Sequence, residues 1–189
     1  MAKNALRELS KHLPSRPEIK KIMDSFLDKD DLHTAIIAVS IVEAHLQKLI
    51  VSRLHRSDAD FTNRLFENRG PLSDFNSKIL IAEAFGLLTR PLADELHVLR
   101  AIRNTFAHAK MPLSFDLRPV ESEIRKLKLL TSIGGGKIPG PIKESLAAQL
   151  APKSAFLLVV SILLIIIDEI TKKKSSANKV IERALKKKA

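Results

Sequence analysis

The sequence of 189 residues contains no cysteine. That excludes a disulfide framework, cysteine-ligated zinc, iron–sulfur clusters and a catalytic thiol. Tryptophan and tyrosine are also missing, and eight phenylalanines are the only aromatics. An aromatic stacking platform for single-stranded nucleic acid is therefore poorly supplied. Glycine is scarce: four of the six glycines lie in the segment 134–140. No stretch shows the period-2 alternation and hairpin turns of a sheet. Long apolar runs are lacking too. The longest, 155–167, has thirteen residues interrupted only by Ser161. As a helix it spans about 20 Å against a hydrocarbon core of roughly 30 Å. Asp168 and Glu169 follow directly and would be costly to bury in lipid. The run reads as a core helix, with no transmembrane segment. The charged start of the chain does not resemble a secretory signal. These features together point to a cytoplasmic protein.

What is present is a globular composition, 45% hydrophobic and 28% charged. The net charge is +11, but it is unevenly placed. Residues 171–189 hold eight basic side chains against the single acid Glu182, leaving 24 basic and 20 acidic ones for the rest. The body is therefore only mildly basic. The basic tail, 172–189, offers Lys172, Lys173, Lys174, Lys179, Arg183, Lys186, Lys187 and Lys188 as contacts for RNA or DNA phosphates or another anionic surface. A solvated tail that aids solubility is the alternative.

Helical punctuation organises the body. Helices are predicted over 4–13, 17–27 and 32–55, the last capped by Asp30 or Asp31 and apolar nearly all round. A short helix is expected at 63–66. Ser73 is expected to cap a helix to about Phe85, ended by Gly86. Thr89 caps the next, with Pro91 in its first turn, toward Phe106. Asp116 is expected to cap a helix over about 119–130. A Gly-rich loop at 132–141 leads to helices over 142–150 and about 152–171. The expected architecture is an all-α bundle of about seven or eight helices in one domain, 1–171.

The most informative residue is Arg103. On a helical wheel it falls within the apolar stripe of Leu92, Leu96, Leu99 and Phe106. An arginine in a dry contact requires a carboxylate, an interface or a cleft. Glu43 is the most attractive partner, a lone acid amid the apolar segment 36–50. Asn104 and His108 share a different face, and Arg103 and His108 lie about 140° apart on an unbroken helix. They converge only if the helix unwinds near Ala107 or the arginine reaches around.

The run Arg103-Asn104-Thr105-Phe106-Ala107-His108 resembles the Arg-polar-x-x-x-His motif of the HEPN superfamily. Upstream, Gly70-Pro71-Leu72-Ser73-Asp74-Phe75-Asn76-Ser77-Lys78-Ile79 and then Gly86-Leu87-Leu88 resemble the mannitol operon repressor (MltR-like) family within it. The resemblance covers about 36–130, within a family-like core of about 30–130. It implies an all-helical HEPN-like bundle, a homodimer and one of two functions. One is regulation of a sugar-alcohol operon through a protein partner or nucleic acid, without a recognisable DNA-reading motif. The other is metal-independent RNA cleavage, with Arg103 and His108 as the catalytic pair and Asn104 orienting them. Such cleavage needs no cofactor. A near-neutral histidine moves the proton of the 2′-OH or of the leaving oxygen, and an arginine holds the phosphate. A purely structural Arg103, tied to Glu43, is the third reading.

Other chemistry is thinly represented. The six histidines show no i, i+4 metal pair, so no metal site is assigned. Gly134 to Gly136 lack the Lys-Ser/Thr of a phosphate loop, and no Gly-x-Ser-x-Gly elbow occurs.

Overall fold

Aspartate side chains set where three of the helices begin. The computed structural model describes residues 12–67, 69–131 and 148–186, with side chains described throughout except at 131 and 174–186. Among the described residues there are seven α-helices, one 3-10 turn and no strand. They are α1 (Arg16–Phe26), α2 (Asp31–Val51), α3 (Ala59–Phe66), α4 (Phe75–Ala84), α5 (Arg90–His108), α6 (Arg118–Arg125), the 3-10 turn Lys128–Thr131 and α7 (Pro152–Lys186). The expected helix at 4–13, the loop at 132–141 and most of the helix at 142–150 lie outside the described residues.

The caps explain both the matches and the corrections. Asp30 accepts from the His33 N–H at 2.8 Å and starts α2. Asp58 accepts from the Phe61 N–H at 3.0 Å, so α3 starts earlier than the expected 63. Asp74, not Ser73, caps α4: its carboxylate takes the Ser77 N–H at 3.0 Å and the Ser77 hydroxyl at 2.6 Å. Ser73 instead donates its N–H to Gly70 in the preceding turn. Leu117 occupies the cap position of α6 in place of Asp116, whose N–H is held by the Ser114 hydroxyl at 3.1 Å. That helix stops at Arg125 rather than near Leu130, and the chain tightens into the 3-10 turn. α2 ends at Val51, short of the expected 55. There the Arg53 N–H turns back to the Ile50 carbonyl at 2.9 Å. α7 passes the expected end near Thr171 and continues to Lys186, because no glycine or proline interrupts it.

Two glycines have a defined task. Gly86 ends α4 at φ +64°, the left-handed conformation of a helix C-terminus. At Gly70 the chain passes so close to α3 that an added Cβ would sit 2.4 Å from the Leu65 carbonyl oxygen.

The core forms around α2 and α7, which pack extensively on each other. α2 contributes Val39, Val42, Leu46 and Leu49, and α7 contributes Phe156, Val160, Leu163, Leu164 and Ile167, all fully or almost fully buried. By length and composition Asp31–Val51 and Pro152–Lys173 could each cross a membrane. In this fold they bury their apolar faces against protein instead. α5 covers another side of α2, and α4 lies in the angle between α2 and α5. The segment after α5 tucks Phe115 between Phe106 and Phe156, with ring centroids 5.0 and 4.9 Å apart. Asp31 fastens that segment: it accepts from the Phe115 N–H at 3.0 Å and pairs with Lys153 at 3.1 Å.

Candidate functional site

The site is built where α2, α4 and α5 meet. α5 starts behind Thr89 with Pro91 in its first turn, and it buries Leu96, Leu99, Ile102 and Phe106. Arg103 projects from this packed region with its side chain 25% exposed. Its Nη2 lies 3.5 Å from Glu43 Oε2. Lys78 of α4 donates to the other carboxylate oxygen, Nζ to Oε1, at 2.6 Å. The Phe75 ring lies beneath the guanidinium, 6.0 Å from its carbon.

The cluster therefore holds two cations and one anion. The shorter bond belongs to Lys78, whose side chain is only 6% exposed. The Arg103 contact is at the outer limit of hydrogen-bonding distance. Arg103 Nε, and Arg100 Nε one turn earlier, are buried without a hydrogen-bond partner. Glu43 is thus the shared counter-charge for elements from three parts of the chain. Each interior cation would be costly without it.

The other members of the motif are placed differently. α5 stays helical through His108, so the unwinding that would turn His108 toward Arg103 does not occur. His108 is exposed and Asn104 half-buried. Among the described residues, no hydrogen bond or ion pair joins either to Arg103. His108 lies in the last turn of α5, where a cation would suit the helix dipole. The basic tail is partly described. Lys172 pairs with Asp168 at 2.7 Å, and Lys173 is exposed. Lys174, Lys179, Arg183 and Lys186 lie on α7, whose side chains are not described there; Lys187 and Lys188 fall outside the described residues. No group of three or more His, Asp or Glu suited to a metal ion occurs among the described residues.

Sequence reasoning missed two buried charges. Lys78 shares the α4 face of Phe75, Ile79 and Ala82. Glu95 shares the α5 face of Leu96, Leu99 and Ile102. The wheel that singled out Arg103 also marks both. Glu95 is 4% exposed and accepts from the N–H groups of Lys128 at 2.7 Å and Leu129 at 3.4 Å. Its carboxylate orders the 3-10 turn, and burial raises its pKa above the usual carboxylate range. His45 is also buried. Burial, then the nearby Lys48, lowers its pKa, and its Nε2 has no hydrogen-bond partner.

Fold and site together define an all-helical bundle with a buried three-member charge cluster tying three helices. No family model matches the sequence. No curated protein matches it either. Among solved structures, the chain is similar in fold to a chain of the X-ray structure of the MtlR–HPr complex from Escherichia coli, with a TM-score of 0.61. The two are 18% identical, and the match covers 79% of this chain and 97% of that one. This chain thus has an MtlR-like fold.

Proposed function

We propose that this chain is a mannitol-operon-repressor-like regulatory protein of the HEPN type that acts through a protein partner. The observation that carries the reading is the fold match along 97% of a chain from the MtlR–HPr complex. By that likeness the partner is a protein of the HPr kind. The regulator is read as a cytoplasmic homodimer. Its basic tail, from Lys172 onward, adds a non-selective attraction to nucleic acid that weakens steeply with salt.

The charge cluster supports a structural role for Arg103. A phosphate-binding arginine must offer free donors to its substrate. Here Glu43 already engages one end of the guanidinium, and His108 leaves α5 on another face. This arrangement favours regulation over cleavage by Arg103, Asn104 and His108.

Two measurements test the reading. Titration calorimetry with HPr from the organism that encodes this chain is expected to show saturable binding. An absence of heat over a wide concentration range would overturn the partner assignment. Incubation with structured and single-stranded RNAs in EDTA is expected to leave them intact. Products ending in a 2′,3′-cyclic phosphate, lost in a folded His108→Ala variant, would establish the endoribonuclease instead.

A further inference from the structure

α2 and α7 run side by side in the same direction. Lys153, in the first turn of α7, pairs with Asp31 at the start of α2, and Arg53, just past the end of α2, donates to the Ile170 carbonyl at 2.6 Å. α2 stops at Val51, but α7 runs on to Lys186. Ile170 still packs against the core, whereas the Lys172 side chain is 57% exposed and Lys173 is exposed. Residues 171–186 therefore carry the helix past the end of α2 by about 24 Å.

The sequence of this extension is amphipathic at helical spacing. Ala177, Val180, Ile181, Ala184 and Leu185 recur at i, i+3, i+4, i+7 and i+8, the spacing of one helical stripe. Lys172, Lys179, Arg183 and Lys186 form a second stripe, about 160° round the helix from the first. Glu182 is the only acid in 171–186, against six basic residues.

Three occupants of such a helix differ in what they use. A second copy of the extension would set like charges against each other, with one acid on each side to offset six cations. A nucleic acid uses the basic stripe and leaves Val180, Ile181 and Leu185 in water. An anionic bilayer uses both stripes: the apolar one enters the boundary between headgroups and acyl chains, and the basic one pairs with lipid phosphates.

We propose that the extension of α7 is an amphipathic helix that docks on an anionic phospholipid bilayer, lying in its interface without crossing it. The charge draws the chain to the surface, and the apolar stripe retains it there. Nucleic acid competes for the charge alone. The inference rests on α7 and is independent of the protein partner proposed above, whose binding is measured separately.

Sedimentation of the full chain with vesicles of phosphatidylcholine, with and without about one-third phosphatidylglycerol, is the test. Binding is expected to be about tenfold or more tighter to the anionic vesicles. The paired substitutions Ile181→Ser and Leu185→Ser keep every charge. They are expected to weaken vesicle binding about tenfold or more and to leave the affinity for duplex DNA within about twofold. Lys179→Gln, Arg183→Gln and Lys186→Gln together are expected to weaken both ligands. Because the sequence lacks tryptophan, a single introduced one reports its own surroundings. The emission of Ile181→Trp is expected to shift to the blue on anionic vesicles, whereas that of Ser175→Trp, on the other side of the helix by spacing, stays as in water. Circular dichroism checks that each variant folds. If the serine pair does not fold, the two tryptophan variants still decide the matter. The proposal is overturned if the wild type does not bind anionic vesicles, if the serine pair binds them like the wild type, or if the two tryptophans respond alike. Binding to duplex DNA with none to vesicles would assign the extension to nucleic acid and equally overturn it.

Discussion

Arg103 and Arg53 are both half-buried arginines beside α2, and their surroundings differ. Arg103 faces Glu43, a carboxylate held more tightly by Lys78. Arg53 faces only a backbone carbonyl and keeps one nitrogen buried without a partner. The first arrangement is closed within the chain and joins α2, α4 and α5. The second is incomplete, because one guanidinium nitrogen is sealed inside the chain with no partner. Interior charge is therefore poor evidence of function by itself; whether the chain supplies the counter-charge distinguishes the two sites.

The largest expected effect comes from removing the shared anion. Glu43→Gln leaves Lys78 and Arg103 without a counter-charge. It is expected to lower stability by about 3–5 kcal/mol in urea unfolding. A loss below about 1 kcal/mol would mean that water already compensates the cations. Lys78→Met is expected to cost less, about 1–3 kcal/mol, because Glu43 can still turn to Arg103. Combined with Glu43→Gln, it should cost less than the two single losses added together, since the pair leaves together.

Arg103→Gln is expected to cost about 1 kcal/mol, given its long contact and partial exposure. A double-mutant cycle with Glu43→Gln tests their coupling. Strictly additive losses would show that Arg103 does not depend on Glu43. Arg53→Gln is expected to change stability by less still, about 0.5 kcal/mol, since it removes one hydrogen bond but also an unpaired charge.

The smallest effect is a pH dependence at His45, another buried nitrogen without a partner. Its pKa in the fold is lowered, by burial first and then by Lys48, with Asp168 and the Pro14 carbonyl opposing. The unfolded chain then binds a proton that the folded chain refuses. Stability should fall as pH drops through about 6.5, and the loss should level off below the folded pKa. His45→Phe should remove that slope, and an unchanged slope would assign it to another group. Glu95, with its raised pKa, contributes the opposite sign at lower pH, losing stability as pH rises through its own window.

Much of the fold was legible because it is local. Asp30 and Thr89 occupy the cap positions at which they were expected, and Gly86 ends α4. The misses at Ser73 and Asp116 are also local: the neighbouring Asp74 caps α4 in place of Ser73, and the cap position of α6 falls one residue after Asp116, at Leu117, with no side-chain cap. The periodicity of α5 marked Arg103 as a charge that needed a partner. The same test, applied to α4, would have marked Lys78.

The sequence by itself determined that the chain is helical, where most helices begin and which charged side chains fall on apolar stripes. Those properties depend on residues within a turn or two of each other. Tertiary structure decided that Glu43 serves two cations, 35 and 60 residues away, and that Arg53 is left without one. It also decided that His108 faces away from Arg103, because α5 continues unbroken to its end. Such pairings depend on how helices cross, and a crossing is fixed by the whole packed core rather than by any one segment.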